Sequence, residues 1–254
     1  MNTIFITGAA MGIGQATAQY FYAKGWTVGV ADLDREKLEE FAKGKEASRC
    51  HIYECDVTDS SQVSASIKDF CEKHNNALEV LVNNAGWLKV GDFEELELAD
   101  HHRTVDINVK GVLNCLYAAF PYLKNAKGTA INLSSASSNY GVPQLSSYSA
   151  TKFAVKAMTE ALELEWQKHG IKVCDVVPPF VATHMLSSQT TQSRALSRMG
   201  ANLVAGDVVQ SIVKQVEAPV LHRPVGWQYF ILHHLSTVAP VFLLRGIMKF
   251  LSRQ

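Results

Sequence analysis

No sign of charge predominates in this chain: 24 Lys and Arg stand against 24 Asp and Glu, a formal net charge of zero. The long-range attraction by which nucleic-acid binders gather phosphates is therefore missing, and nucleic acid is not an expected partner. The cysteines, Cys50, Cys55, Cys71, Cys115 and Cys174, are odd in number and include no Cys-x-x-Cys pair. Neither a zinc site nor a disulfide framework is suggested, and the thiols are expected to be reduced and structural. Two adjacent histidine pairs, His101-His102 and His233-His234, point to different helix faces and make poor joint ligands, so no metal is expected. Proline is scarce, 7 residues in 254, and with 47% hydrophobic residues this excludes disordered and collagen-like classes. A strand-like run begins at Thr3 and leaves no space ahead of it for a charged n-region and an apolar h-region, so a cytoplasmic protein is expected.

What is present is an alternation. Thr3–Ile6, Val28–Ala31, Cys50–Cys55, Val80–Val82, Thr129–Leu133 and Lys172–Val177 read as short buried strands. Between them Gln15–Lys24, Arg35–Phe41, Ser60–His74, Ala99–Phe120 and Tyr148–Lys168 read as helices. In the Ala99–Phe120 helix, Val105, Val109, Val112, Leu116 and Phe120 make one apolar stripe. The pattern predicts an α/β fold, a doubly wound parallel sheet covered on both faces, in one continuous domain.

Thr7-Gly8-Ala9-Ala10-Met11-Gly12-Ile13-Gly14 follows the first strand and opens the first helix, where backbone amides and the helix dipole attract a pyrophosphate. Gly8 allows the tight turn, Gly12 the close approach of a dinucleotide, and Gly14 the packing of helix on sheet. Asp32, about 20 residues further on, can accept from the adenosine ribose hydroxyls and repel a 2′-phosphate. No Lys or Arg lies in the glycine loop, so NAD is favoured over NADP. The alternative is that Asp32 caps the helix beginning near Arg35. Cys55-Asp56-Val57 and Asn83-Asn84-Ala85-Gly86 end the third and fourth strands on the same edge. Asp56 either accepts from an adenine amino group or holds its own turn.

Tyr148 and Lys152 stand four apart at a helix start and emerge on one face. A free phenol has a pKa near ~10, too high for a base at neutral pH, and a neighbouring ammonium favours the phenolate. Lys152 would also donate to a nicotinamide ribose. Ser135, 13 residues before Tyr148, ends a strand where its hydroxyl can bond the same substrate oxygen.

The order TGAAMGIG, NNAG, Asn108, Ser135 and Tyr148-Ser-Ala-Thr-Lys152 resembles the short-chain dehydrogenase/reductase family, from residue 3 to about residue 183. The resemblance implies a single-domain Rossmann fold with a seven-stranded parallel sheet and a tetrad of Asn108, Ser135, Tyr148 and Lys152. It implies that Asn108 disturbs its helix and holds a water against the lysine. Dinucleotide contacts are implied at Gly8, Met11, Gly12, Ile13, Gly14, Asp32, Asp56, Val57, Asn84, Ala85 and Gly86, with nicotinamide contacts at Pro178, Val181 and Thr183. Pro178-Pro179 departs from the family's Pro-Gly, and losing the glycine removes φ > 0 freedom and one backbone N–H just ahead of Val181 and Thr183. Assembly as a homodimer or homotetramer through the two long helices is also implied, and the Val105–Phe120 stripe is consistent with such burial.

The Ser-, Thr- and Gln-rich segment 184–204 follows a strand end and is either a mobile lid or an ordinary surface excursion. Trp227–Leu244 has 18 residues without Asp, Glu, Lys or Arg, the lower limit for a spanning helix, yet Gln228, His233, His234, Ser236, Thr237 and Pro240 make it a poor one. Flanked by Arg223, Arg245, Lys249 and Arg253, this apolar C-terminal segment suits a peripheral membrane contact, and the alternatives are packing over the substrate cleft or across a subunit interface. The expected function is hydride transfer between NAD(H) and an alcohol/carbonyl pair, with a lipophilic small-molecule substrate and Tyr148 as general acid/base. The competing reading is a dinucleotide-binding sensor or scaffold without turnover. An extended sugar-nucleotide epimerase is disfavoured for want of a large added substrate domain.

Overall fold

The computed structural model describes residues 2–179, 181 and 203–252. Thr183, residues 184–202 of the expected lid, and Arg253 lie outside them.

Seven parallel strands form one sheet in the order β3-β2-β1-β4-β5-β6-β7. They are β1 (Thr3–Thr7), β2 (Thr27–Asp32), β3 (Cys50–Glu54), β4 (Val80–Asn83), β5 (Thr129–Leu133), β6 (Lys172–Val177) and β7 (His222–Pro224). The helices are α1 (Gly12–Ala23), α2 (Arg35–Ala42), α3 (Ser60–Glu72), α4 (Leu98–Val105), α5 (Gly111–Ala126), α6 (Ser146–Trp166), α7 (Ala205–Glu217), α8 (Trp227–Val238) and α9 (Val241–Ser252). Every residue of β1 and β5 is buried, as expected where helices cover both faces of a parallel sheet. One apolar layer joins α1, α2 and α7 to the sheet through Phe21, Leu38 and Ile212. The other joins α3, α5 and α6 through Phe70, Leu116 and Val155. Each such buried side chain contributes about 1.5–3 kcal/mol before entropy is counted.

The strand order reverses between β1 and β4, whose carboxyl ends flank the crevice where ligands of this architecture bind. At that point the Thr7 hydroxyl accepts from the amides of Asn84 and Ala85, both at 3.1 Å. The Asn84 side chain donates to the carbonyls of Thr7 and Gly8 at 2.9 Å. The two strand ends are thereby held together before any ligand is considered.

Two expectations change. The helix expected over Ala99–Phe120 is interrupted by a π turn, Asp106–Lys110, in which the Gly111 amide donates to the carbonyl of Asp106. The apolar spacing runs through that turn in sequence, but a turn closed at i→i+5 does not keep one face in space. Val112 and Leu116 are accordingly buried inside the subunit while Val105 is 46% exposed, so the stripe is not the surface an assembly would cover. The run Trp227–Leu244 is likewise split, into α8 and α9, at Ala239-Pro240.

Gly29 in β2 lies beneath two rings: a β-carbon there would stand 2.6 Å from Phe5 and 2.9 Å from Phe70. Gly29→Ala is expected to lower stability by about 1–3 kcal/mol through overpacking, read as a lower urea midpoint with unchanged slope.

Candidate active site

The glycine loop has the form a dinucleotide requires. Gly8 has φ +65°, and a β-carbon on it would meet the Ala85 backbone at 2.8 Å. A β-carbon on Gly14 would stand 2.2 Å from the Gly8 carbonyl oxygen, so the first turn of α1 can seat against the loop only as glycine. At Gly12, also at positive φ, the same position opens into free space. The Met11 side chain provides no cap, and the α1 N-terminus thus offers its amides and dipole to an anion from beside Gly12 and Ile13. This open cradle fits a pyrophosphate.

Asp32 does not cap α2. Asp34 does, accepting from the Lys37 amide at 3.1 Å. Asp32 ends β2 and turns back, one oxygen accepting from the Ala10 amide at 3.0 Å and the other from the Asp34 amide at 3.1 Å. The nearby cations are engaged with carboxylates, Arg35 with Glu39 and Glu54, Lys37 with Asp34. One oxygen of Asp56 holds its turn by accepting from the Thr58 amide at 2.8 Å. The Val57 side chain is buried and its carbonyl accepts from Asn114. Ala85 and Gly86 follow Asn84 on the same edge. Pro178 is tied to the loop after β5, its carbonyl accepting from the Ala136 amide at 2.9 Å. Val181 is buried and bridges to Leu203.

The tetrad residues come from three elements. Ser135, 5% exposed, leaves β5 in an extended conformation, and its hydroxyl accepts from the Ser137 amide. Tyr148 lies in the first turn of α6. Burial pushes its phenol up to about 12, while a hydrogen bond with the Ser135 hydroxyl draws it back. Lys152, one turn on, is 7% exposed and donates to the Leu133 carbonyl at 2.6 Å. Burial lowers its pKa to about 8, against the pull of the Asp175 carboxylate. Asn108 occupies the centre of the π turn and is 1% exposed. Its amide donates to the Trp87 carbonyl at 2.9 Å and the Thr151 hydroxyl at 3.1 Å, while its oxygen accepts from the Trp87 amide at 2.7 Å. Thr151 in turn donates to the Tyr148 carbonyl at 2.7 Å. The π turn and the tyrosine's helical turn are thus joined by one side-chain bridge.

One charged cluster escaped the sequence reading. Asp175 is fully buried in β6; one of its oxygens lies 3.0 Å from His222 Nδ1, and the other finds no partner. His222 Nε2 faces Glu160 of α6 at 3.1 Å. Both ring nitrogens thus face carboxylates, an arrangement satisfied by an imidazolium donating in both directions. Burial raises Asp175, and hydrogen bonds to Asp175 and Glu160, opposed by burial, hold His222 above its ordinary value. The available signal was an aspartate inside the apolar run Lys172–Val177. Of the histidine pairs, His101 spends both nitrogens, on the Ser147 hydroxyl and the Phe93 carbonyl, and His233 Nδ1 meets the Asn139 amide at 2.9 Å.

Against known proteins, the sequence profile described as short chain dehydrogenase matches residues 2–194. The chain is 34% identical over 199 residues to 3-oxoacyl-(acyl-carrier-protein) reductase FabG of Thermotoga maritima, covering 76% of this chain and 80% of that protein. The fold is shared with a 3-ketoacyl-(acyl-carrier-protein) reductase from Brucella melitensis complexed with NADH (TM-score 0.79, 24% identity, 88% of this chain and 96% of that one). It is shared also with a short chain dehydrogenase from Burkholderia cenocepacia in complex with NADP (TM-score 0.81, 20% identity, 100% and 98%).

Because Asp175 and His222 both hold their protons more tightly in the native chain, their contribution to stability falls as pH rises. The histidine's share is complete below its unfolded value of 6.5 and is lost as pH climbs through the raised native value. The thermal midpoint is expected to decline over that window in the native chain and to decline less in Asp175→Asn/His222→Gln. Parallel curves would exclude the pair as the titrating element.

Proposed function

The chain belongs to the short chain dehydrogenase family, and on that premise we propose that it is an NAD-dependent oxidoreductase interconverting a lipophilic alcohol and its carbonyl, with Tyr148 as general acid/base. The observation that carries the reading is the convergence of the Tyr148 and Ser135 hydroxyls one helical turn from the buried Lys152 ammonium.

A bound nicotinamide dinucleotide supplies the hydride donor or acceptor. The amides around Gly8, Met11, Gly12, Ile13 and Gly14 would hold its pyrophosphate, and Asp32 the adenosine ribose. Asp56 and Val57 would border the adenine, while Asn84, Ala85, Gly86, Pro178 and Val181 would line the crevice; Thr183 lies outside the described residues. Ser135 and Tyr148 would bind the substrate oxygen from two sides. With its phenol raised by burial, Tyr148 holds a proton to donate as a carbonyl is reduced. In the opposite direction the Lys152 ammonium favours loss of that proton. Of its three N–H groups, one is spent on Leu133, leaving two for a ribose hydroxyl and the site. Asn108, its own amide saturated, would act by holding the π turn open so that a released backbone carbonyl can seat a water near Lys152. Outward apolar residues on the two long helices, Leu113 and Tyr117 of α5 with Phe153 and Leu164 of α6, favour assembly with a second copy.

Tyr148→Phe is expected to lower turnover of a panel of lipophilic ketones and alcohols by about 10²–10⁴-fold, followed as NADH absorbance, with NADH affinity retained. Equal rates would remove Tyr148 from the mechanism, and binding without turnover by the native chain would favour a sensor. The native chain is expected to have the higher kcat/KM with NADH, and Asp32→Ala to shift the NADPH-to-NADH ratio by at least about tenfold, equivalent to ~1.4 kcal/mol. An unshifted ratio would overturn the role of Asp32.

A further inference from the structure

The charge balance of the chain is uneven along its length. Glu217 is the last Asp or Glu of the sequence, and from Ala218 to Gln254 the Lys and Arg residues are Arg223, Arg245, Lys249 and Arg253. This carboxylate-free stretch carries the two terminal helices, which expose large apolar side chains at helical spacing. On α8, Trp227, Ile231 and Leu235 recur every fourth residue and are 73%, 50% and 57% exposed. On α9, Phe242, Leu243 and Ile247 are 77%, 50% and 46% exposed. Arg245 and Lys249, also exposed, lie one turn apart beside them. Isolated exposed hydrophobics need no explanation, but aligned ones on successive helices mark a contact surface.

We infer that α8 and α9 form a docking face for an anionic lipid bilayer. Each helix has 12 residues, far too few to cross a membrane, and no described helix is long and apolar enough to do so. Helices of this kind lie in the interface, with apolar side chains among the acyl chains and basic ones reaching to headgroups along their rim. The absence of carboxylates selects the sign of the lipid, since any acidic residue on this face would be repelled by anionic headgroups. It also disfavours a second copy as the occupant. A twofold contact through α9 would bring a basic segment against itself with no Asp or Glu in that segment to pair Arg245 or Lys249.

The inner face of α9 gives the docking a consequence. Met248 is buried against Leu88, Val90, Val142 and Leu145, and Tyr148 packs on the same cluster. The helix that would lie on the bilayer therefore covers the side of the molecule where the tyrosine sits. On the proposed reading of Tyr148, on which this last step rests, a lipophilic alcohol or carbonyl reaches the site from the membrane rather than from water.

The test is flotation of the full-length protein with vesicles made from equal parts phosphatidylglycerol and phosphatidylcholine, beside vesicles of phosphatidylcholine alone. The native chain is expected to float with the mixed vesicles and to be released by salt. Phe242→Ser/Ile247→Ser and Arg245→Gln/Lys249→Gln are each expected to reduce partitioning about tenfold or more while the thermal midpoint, the control for folding, stays unchanged. Failure of the native chain to float overturns the docking, as does unaltered flotation of either variant. Light scattering that shows a dimer dissolved by Phe242→Ser/Ile247→Ser, without flotation, assigns the face to a second copy and also overturns it. Flotation requires no turnover, so loss of the proposed activity and loss of docking are read separately.

Discussion

An ammonium enclosed by protein is the constraint around which the site is arranged. Removing a charge from water costs several kcal/mol even after relaxation, and the depressed pKa of Lys152 expresses that cost. What keeps the group in place is geometric. Its hydrogen bond to Leu133 reaches the last residue of β5, and the chain leaves that strand directly into Ser134 and Ser135. The same bond that seats the lysine therefore sets α6 against the strand end that delivers the serine. Asp175, one strand away in β6, adds a compensating negative field, yet it is itself buried and is held by His222. The charges form a connected set, and altering one changes the protonation of its neighbours.

Beneath the chemical groups lies a ladder of uncharged contacts. Asn83 and Asn132, register partners on β4 and β5, are joined at 2.8 Å, and Asn132 donates to Thr159 of α6 at 2.9 Å. The ladder is satisfied at Asn132 and left open at one atom, the buried Asn83 side-chain oxygen, which finds no partner. The ladder fixes how far along the sheet α6 lies, and with it the height of Tyr148 above the strand ends. Thr7 and Asn84 do the equivalent work at the crevice between β1 and β4. The proposed catalytic and cofactor-binding elements thus rest on separate ties to the same central strands.

Local patterns were legible in the sequence wherever the physics is local. Alternating apolar runs predicted the parallel sheet, because strands buried on both faces admit little else. Tyr148 and Lys152 could be placed on one face from spacing alone, and Gly8 and Gly14 from their position between strand and helix. The π turn at Asp106–Lys110 was invisible to periodicity, since the 3–4 spacing of Val105, Val109 and Val112 continues through it unbroken, and only the family resemblance at Asn108 implied a disturbed helix there. Asn108 carried the resemblance, but its grip on Trp87 and Thr151 depends on contacts 21 and 43 residues away. The Asp175, His222 and Glu160 cluster is likewise assembled from β6, β7 and α6 and has no counterpart in any single stretch. Asp32 was readable as an acidic residue past β2, whereas the choice between ribose acceptor and helix cap was not. Asp34 takes the capping role and leaves Asp32 facing the glycine loop.

The terminal helices show how one element can serve two surfaces. Met248 is drawn into the apolar cluster beside Tyr148, and neighbours on the same helix point outward. Had Trp227–Leu244 formed one helix, it could not have both followed the molecule and presented its apolar residues away from it. Pro240 lacks the amide that would continue the ladder and clashes with the preceding turn, so the chain bends after Val238 and starts again at Val241. The bend lets α9 fold back over the Tyr148 cluster while Phe242, Leu243 and Ile247 remain exposed. A helix stabilised only by that inner contact would bring little apolar surface out of water. Exposing large apolar side chains along both helices is costly in solvent and becomes favourable where an apolar phase meets them, which is why the lining of the site and the outward face of the tail belong to one physical account.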